Sequence, residues 1–321
     1  MTFAPSIAVY YEHREWFRPL FRALESRGAS VLPIRADEQI LDPAARLPHY
    51  SLFFNRMSPS AWERGRGGAV FHTLNVLSAL EDAGVPVWNG SQAYRLDISK
   101  AQQAALLERL GLPVPRTRIV YSLDQLSAAA AQLTFPLIVK PNVGGNGAGI
   151  VRVDDAEALA AELAAGKITA GPDGVLLVQE YHAPRGGSIV RVETLEGRFL
   201  YAIRMHLGRD TFSICPADVC SLVSGEQLSG EARGDHVGND ARVESYRPPE
   251  RVIAEVERIA RAGHLDVGGV EYLESERDGR RYYYDVNALS NFIADAEKVV
   301  GFDPNARLAD ALVGQLLAKA A

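Results

Sequence analysis

Glu271, Asp285 and Asn287 have the types and spacing of an all-oxygen cation site. Gly268 to Leu273 and Tyr282 to Val286 read as two strands joined by the polar turn Ser275 to Arg281. Side chains alternate across a strand, so Asp285 and Asn287 share one face while Val286 takes the other. Glu271 on the partner strand can turn to the same side. It stands between Gly-Gly-Val and Tyr-Leu, where an unpaired charge is costly to bury. Two carboxylates and an amide oxygen suit magnesium, or manganese, that also holds substrate phosphates.

A second stretch offers the phosphate side. In Phe135 to Val153 an apolar run ends at Lys140-Pro141, and Gly144, Gly145, Gly147 and Gly149 follow with Asn146 among them. A β-branched run, Ile150 to Val153, comes next. Glycines let the backbone approach a ligand, and successive N–H groups can point at one anion. The P-loop and the dinucleotide fingerprint both need a helix after the last glycine, and a strand stands there instead. The reading is a β-hairpin whose tip can close over a triphosphate. A third group follows the strand Tyr50 to Phe54: Asn55-Arg56-Met57-Ser58, where Arg56 can clamp a carboxylate through its planar fork and Ser58 adds a hydroxyl.

These residues need elements to hold them. Strands at Ser6 to Tyr10, Ala29 to Ile34, Tyr50 to Phe54 and Val85 to Trp88 alternate with helices at Glu15 to Ser26 and Thr73 to Ala83. That alternation predicts an open parallel α/β lobe over residues 1–95, with ligands beyond the carboxyl ends of its strands. Asp97 is placed as the N-cap of a helix that begins near Lys100. Residues 96–184 then read as a small α+β lobe carrying the glycine loop. It has a helix at Leu123 to Gln132, another at Ala156 to Ala165, and a strand ending in Gln179-Glu180-Tyr181. Residues 185–321 read as a second α+β lobe with strands Ser188 to Val192 and Phe199 to Arg204, a helix from Pro248 to Gly263, and the cation-site hairpin. Residues 206 to 240, polar and glycine-rich, are expected to form a long loop over the substrate.

Lys100, Lys140, the glycine loop, Gln179-Glu180-Tyr181, Glu271 and Asp285-Val286-Asn287, in that order, resemble the ATP-grasp superfamily and within it the RimK-type carboxylate–amine ligases. The resemblance implies three lobes, an N-terminal parallel sheet and two α+β lobes clasping ATP. It implies that Lys100 and Lys140 meet nucleotide phosphate. Backbone groups near Gln179 and Tyr181 would read the adenine edge, with Glu180 near the base or ribose. Arg191 would face the reacting phosphate or carboxylate. Together with this pattern, Arg56, Arg191 and Arg204 supply enough guanidinium to hold a carboxylate donor and its acyl phosphate, with Asn291 in the loop beside the metals. The family usually has Asp, Glu and Asn at the metal positions; here the first two are exchanged, as Glu271 and Asp285. Ser99 stands where Asp is usual, Ile189 replaces another Asp, and Ala288-Leu289-Ser290-Asn291-Phe292 replaces Ser-Pro-Gly. The implied reaction is activation of a carboxylate by ATP as an acyl phosphate, then displacement of phosphate by an amine. A phosphotransferase on the same fold and a non-catalytic nucleotide-binding regulator are the alternatives.

Composition limits the rest. A chain of 321 residues with 47% hydrophobic and 23% charged residues has the make-up of a soluble globular protein of more than one lobe. Its net charge of -6 gives no global basic field for nucleic acid. No apolar run reaches the roughly 18 residues of a membrane span, and the first residues lack a basic, then apolar, secretory pattern. Cys215 and Cys220 form no zinc signature and are expected to be reduced thiols in a cytoplasmic protein. The partners that the resemblance implies are small-molecule carboxylate and amine substrates, with a homo-oligomer left open.

Overall fold

A computed structural model describes residues 6–13, 15–42, 44, 50–145, 147–207, 242–293 and 295–320. The first apolar run is strand β1 (Ser6–Tyr11), central in a parallel sheet ordered β2-β1-β3-β4 with β2 (Ser30–Arg35), β3 (Leu52–Arg56) and β4 (Val87–Trp88). β1 is apolar throughout because helices cover both faces of the sheet. Ile7 and Val9 pack with Leu20 and Leu24 of the helix Arg18–Glu25. Ala8 and Tyr10 pack with Val70, Leu77 and Leu80 of the helix Gly67–Asp82. That second helix starts at Gly67, earlier than the expected Thr73. Its glycine opening has low helix propensity, which hides the first turn from a sequence reading.

The small lobe is antiparallel, ordered β5-β8-β6-β7, from β5 (Thr117–Val120), β6 (Leu137–Pro141), β7 (Val151–Val153) and β8 (Leu176–Glu180). Its core joins Leu137, Val139 and Val178 to Leu126 and Leu159 from the helices Leu126–Ala130 and Ala156–Ala164. The large lobe is an antiparallel sheet ordered β11-β10-β9-β12-β13, from β9 (Pro184–Leu195), β10 (Arg198–His206), β11 (Arg242–Ser245), β12 (Val267–Ser275) and β13 (Arg281–Asn287). Its back face, with Val190, Val192, Val270 and Val286, lies on Val252, Val256 and Ile259 of the helix Glu250–Ala262.

The three sheets are those expected, but two boundaries move. Leu96, Leu106 and Leu107, from the helices Ser91–Asp97 and Lys100–Arg109, complete the core behind the large sheet, so these helices do not belong to the small lobe. The last helix, Pro304–Ala320, returns to the first lobe. Leu308, Leu312 and Leu316 enter the core of Ile7 and Val9, and Arg27 pairs with Asp310 at 2.6 Å. An apolar stripe marks a helix as buried; it does not say which sheet the helix covers. The long loop expected over 206 to 240 lies from residue 208 onward outside the described residues, with Cys215 and Cys220, and so does Asn146.

Candidate active site

The register of the large sheet aligns the chemistry. Arg191 on β9 is opposite Glu271 on β12, and Glu271 is opposite Asp285 on β13. Residues paired in this way share a face, so the three side chains form a row across three strands. Asn287 lies two residues beyond Asp285 on the same face and donates its Nδ2 to Asp285 Oδ2 at 3.1 Å. Arg191 Nη1 donates to Glu271 Oε1 at 2.9 Å, Nε to Glu193 Oε1 at 2.6 Å, and Nη2 to Ser290 Oγ at 2.9 Å. Gly269 makes room for it: a β-carbon there would lie 2.8 Å from Arg191 Nη2. Lys100 reaches the row from the start of its helix and donates to Asp285 Oδ1 at 2.7 Å.

Burial and charge set the proton affinities. Burial, reinforced by the charge of Asp285, pushes Glu271 up to about 7 against the opposing pull of Arg191. Burial acts on Asp285 in the same direction, but Lys100, Lys140 and Asn287 outweigh it and hold this carboxylate below its ordinary value. Among the described residues no group of three His, Cys, Asp or Glu side chains is arranged as a metal site; here an amide completes the set. Glu271, Asp285 and Asn287 nonetheless fit a divalent cation. They are oxygen donors on one face, and both carboxylates already require a positive partner.

The small lobe brings Lys140, buried on β6, with Nζ donating to Gln179 Oε1 at 2.9 Å. Burial and the nearby charge of Lys100 lower it to about 7. Asn142 ties the two lysines together. It accepts from Lys100 N at 3.2 Å through its backbone and from Ala101 N at 2.8 Å through Oδ1. In the glycine loop, Gly147 and Gly149 hold φ of 69° and 71°, the left-handed region. At Gly145 a β-carbon would meet Ser60 Cβ at 2.8 Å, so the loop lies close against the first lobe's turn Pro59–Arg64.

Several expectations need correction. Asp97 is not the cap of the Lys100 helix; Ser99 is, accepting from Gln102 N at 3.3 Å. Asp97 ends the preceding helix, and its Oδ1 accepts from Ala288 N at 2.8 Å. The residue that departs from the family pattern is thus the capping hydroxyl. The backbone N–H groups of Glu180 and Tyr181 are not free to read a base. Glu180 N donates to Arg116 O and Tyr181 N to Pro136 O, each at 2.9 Å, and the Gln179 amide is engaged with Lys140 and Thr117. The Glu180 carboxylate accepts from Thr134 N at 2.9 Å. Arg204 is opposite Val190, hence on the back face of the sheet, away from Arg191. Its guanidinium lies 4.0 Å from the Tyr246 ring centroid and 3.9 Å from Glu244. Ser58 caps the turn Pro59–Arg64 and faces Ser60 at 2.8 Å instead of joining the carboxylate row.

Arg56 is 3% exposed, between the rings of Phe17 and Phe54, and its Nη2 donates to Ser290 O. Among the described residues its Nε and Nη1 have no hydrogen-bond partner, and Asn291 Oδ1 is likewise buried without one. Burial lowers Arg56 to about 10. Ser290 therefore joins two arginines, by its carbonyl to Arg56 and by its hydroxyl to Arg191. No sequence signal marks it. Glu193 was legible in principle, being two residues from Arg191 on one strand and so on the same face.

Residues 98–212 match the family described as the RimK-like ATP-grasp domain. The chain is 36% identical over 137 residues to D-alanine--D-alanine ligase of Ectopseudomonas mendocina, a match covering 42% of this chain and 41% of that one. It is 27% identical over 260 residues to ribosomal protein bS6--L-glutamate ligase of Shigella boydii, covering 80% and 75%. It spans less than half the length of the first curated relatives it matches. Its fold is similar to that of the ATP-grasp ligase PsnB solved with a minimal precursor, Mg and ADP, with a TM-score of 0.63, 20% identity, and coverage of 97% and 98%. No described helix of this protein is long and apolar enough to cross a membrane.

Proposed function

We propose that this protein is an ATP-dependent carboxylate–amine ligase acting on amino-acid or small-peptide substrates in the cytoplasm. The observation that carries the reading is one buried cluster in which Glu271, Asp285 and Asn287 stand among Lys100, Lys140 and Arg191. Three mobile or fixed cations beside an oxygen-ligand set suit a polyphosphate and the charge that spreads over a transferring phosphoryl group. Ligase relatives that join D-alanine to D-alanine, or glutamate to a ribosomal protein, support the same reaction class.

In this reading Lys140, aimed by Gln179, and Lys100 neutralise the phosphates of ATP. Glu271, Asp285 and Asn287 would hold magnesium, which would supply positive charge to offset that of the phosphates. Arg191, fixed by Glu193 and Ser290, orients the substrate carboxylate. A carboxylate oxygen attacks the γ-phosphorus and ADP leaves. The amine then attacks the acyl carbon and phosphate leaves, while the glycine loop limits the access of water. The test is ADP release across pools of amino acids and small peptides, with hydroxylamine added when the amine is withheld. A ligase yields ADP only with both partners, and a hydroxamate when trapped. A stable phosphorylated product that keeps the label of γ-labelled ATP would instead identify a kinase.

A further inference from the structure

Lys100 and Arg191 both act on the carboxylate row, but they are held differently. The Arg191 guanidinium has three anchors, Glu271, Glu193 and Ser290, on strands and loop of the same lobe. Among the described residues the Lys100 ammonium has one hydrogen-bond partner, Asp285 Oδ1, at 2.7 Å. It arrives on a flexible four-carbon stem from a helix start that is pinned separately by Asn142. The ammonium thus takes one lone pair of an oxygen that the cation site would use, and sets a positive charge beside that site. The helix start would stay in place if the ammonium turned away.

We propose that Lys100 is a displaceable stand-in for the divalent cation: its ammonium holds Asp285 in the nucleotide-free protein and moves to phosphate when metal and nucleotide enter. This rests on the ligase site described above and adds a consequence to it. Metal alone must compete with Lys100 for Asp285 and must sit beside its positive charge. Nucleotide offers the ammonium another anion, so metal and nucleotide bind with positive coupling that is reciprocal. One part of this coupling passes through a single side chain, and it adds to the direct attraction between the metal and the phosphates. Arg191 stays on Glu271 throughout, because removing it would also leave Glu193 buried without its cation.

The test is Mn²⁺ binding to the full chain by electron paramagnetic resonance, with and without ADP, for the wild type and for Lys100→Met and Lys100→Gln. Circular dichroism and thermal melting first establish that each variant is folded. Both variants should bind Mn²⁺ about tenfold tighter than the wild type without ADP, and lose part of the tightening that ADP gives, as expected for a typical coupling free energy removed at one of its sources. Unchanged or weaker metal binding by the folded variants without ADP overturns the proposal. Asp285→Asn separates the two levels. If it binds Mn²⁺ as well as the wild type, the cation site itself is elsewhere. If it loses Mn²⁺ while Lys100→Met gains nothing, the site stands and the stand-in role of Lys100 fails.

Discussion

At the scale of single residues, Lys140 and Asp97 take unusual proton affinities from burial. Lys140, lowered to about 7 by burial and by Lys100, is mostly neutral in mildly alkaline solution. A phosphate beside it restores the preference for the charged form. Nucleotide binding at about pH 8 should therefore take up a proton. Calorimetric enthalpies in buffers of different ionisation heat will differ accordingly, and Lys140→Met should remove the difference. Equal enthalpies for the wild type would place the phosphates away from Lys140. Asp97 is shifted in the other sense, up to about 7, chiefly by burial. Its folded pKa exceeds its unfolded one, so it binds more protons when folded. Its contribution is complete below about pH 4 and is lost as pH rises through about 7. Asp97→Asn keeps an oxygen for Ala288 N and has no charge to bury, so its melting temperature should fall less than that of the wild type over this window.

At the scale of elements, strand register is the decisive feature. Glu271→Gln and Asn287→Ala should each lower ADP formation by at least about 100-fold, more than the loss typical of an outer partner of a metal ligand. Near-normal turnover in either variant would remove that residue from the site. The strand beneath them has no spare volume. Gly269→Ala places a methyl 2.8 Å from Arg191 Nη2. Overpacking of this kind costs about 1–3 kcal/mol, so denaturant unfolding should show that loss together with reduced turnover, because Arg191 must move. An unchanged midpoint and rate would mean that the guanidinium is not held where it stands.

At the scale of the whole molecule, the chain ends where it begins. The helix Pro304–Ala320 completes the core of the first lobe, with Leu312 fully buried beside Ile7 and Leu20. Leu312→Ala should cost about 2–5 kcal/mol, as for other deletions in a packed core, although the residue is more than 200 positions from the sheet it supports. Guanidinium unfolding measures this directly, and a loss below half that range would mean that the helix docks loosely. The same core takes in Leu195 and Val267 of the large sheet and so ties the first lobe to the large one. The inferred exchange of Lys100 belongs at the junction with the small lobe, since Asn142 of the small lobe pins the start of the Lys100 helix.

The chemistry-bearing positions that proved legible are those with local signatures. Alternation on β13 put Asp285 and Asn287 on one face. The apolar runs before Lys140 and around Glu271 marked buried strands, and the glycines between Asn142 and Ile150 marked a loop needing positive φ and close approach. These properties depend on neighbours a few residues away, so the sequence by itself determines them. Tertiary structure decided which side chains share a charge. It set Arg204 behind the sheet and Arg191 in front, because one step of register exchanges the faces. It gave the backbone N–H groups of Glu180 and Tyr181 to partners in the small lobe. It made Ser99 the cap and moved Asp97 to the loop at Ala288, and it joined Arg56 to Arg191 through Ser290. Each of these depends on contacts across long sequence separations, where the energy lies in desolvating and pairing specific groups, and no local pattern records that pairing.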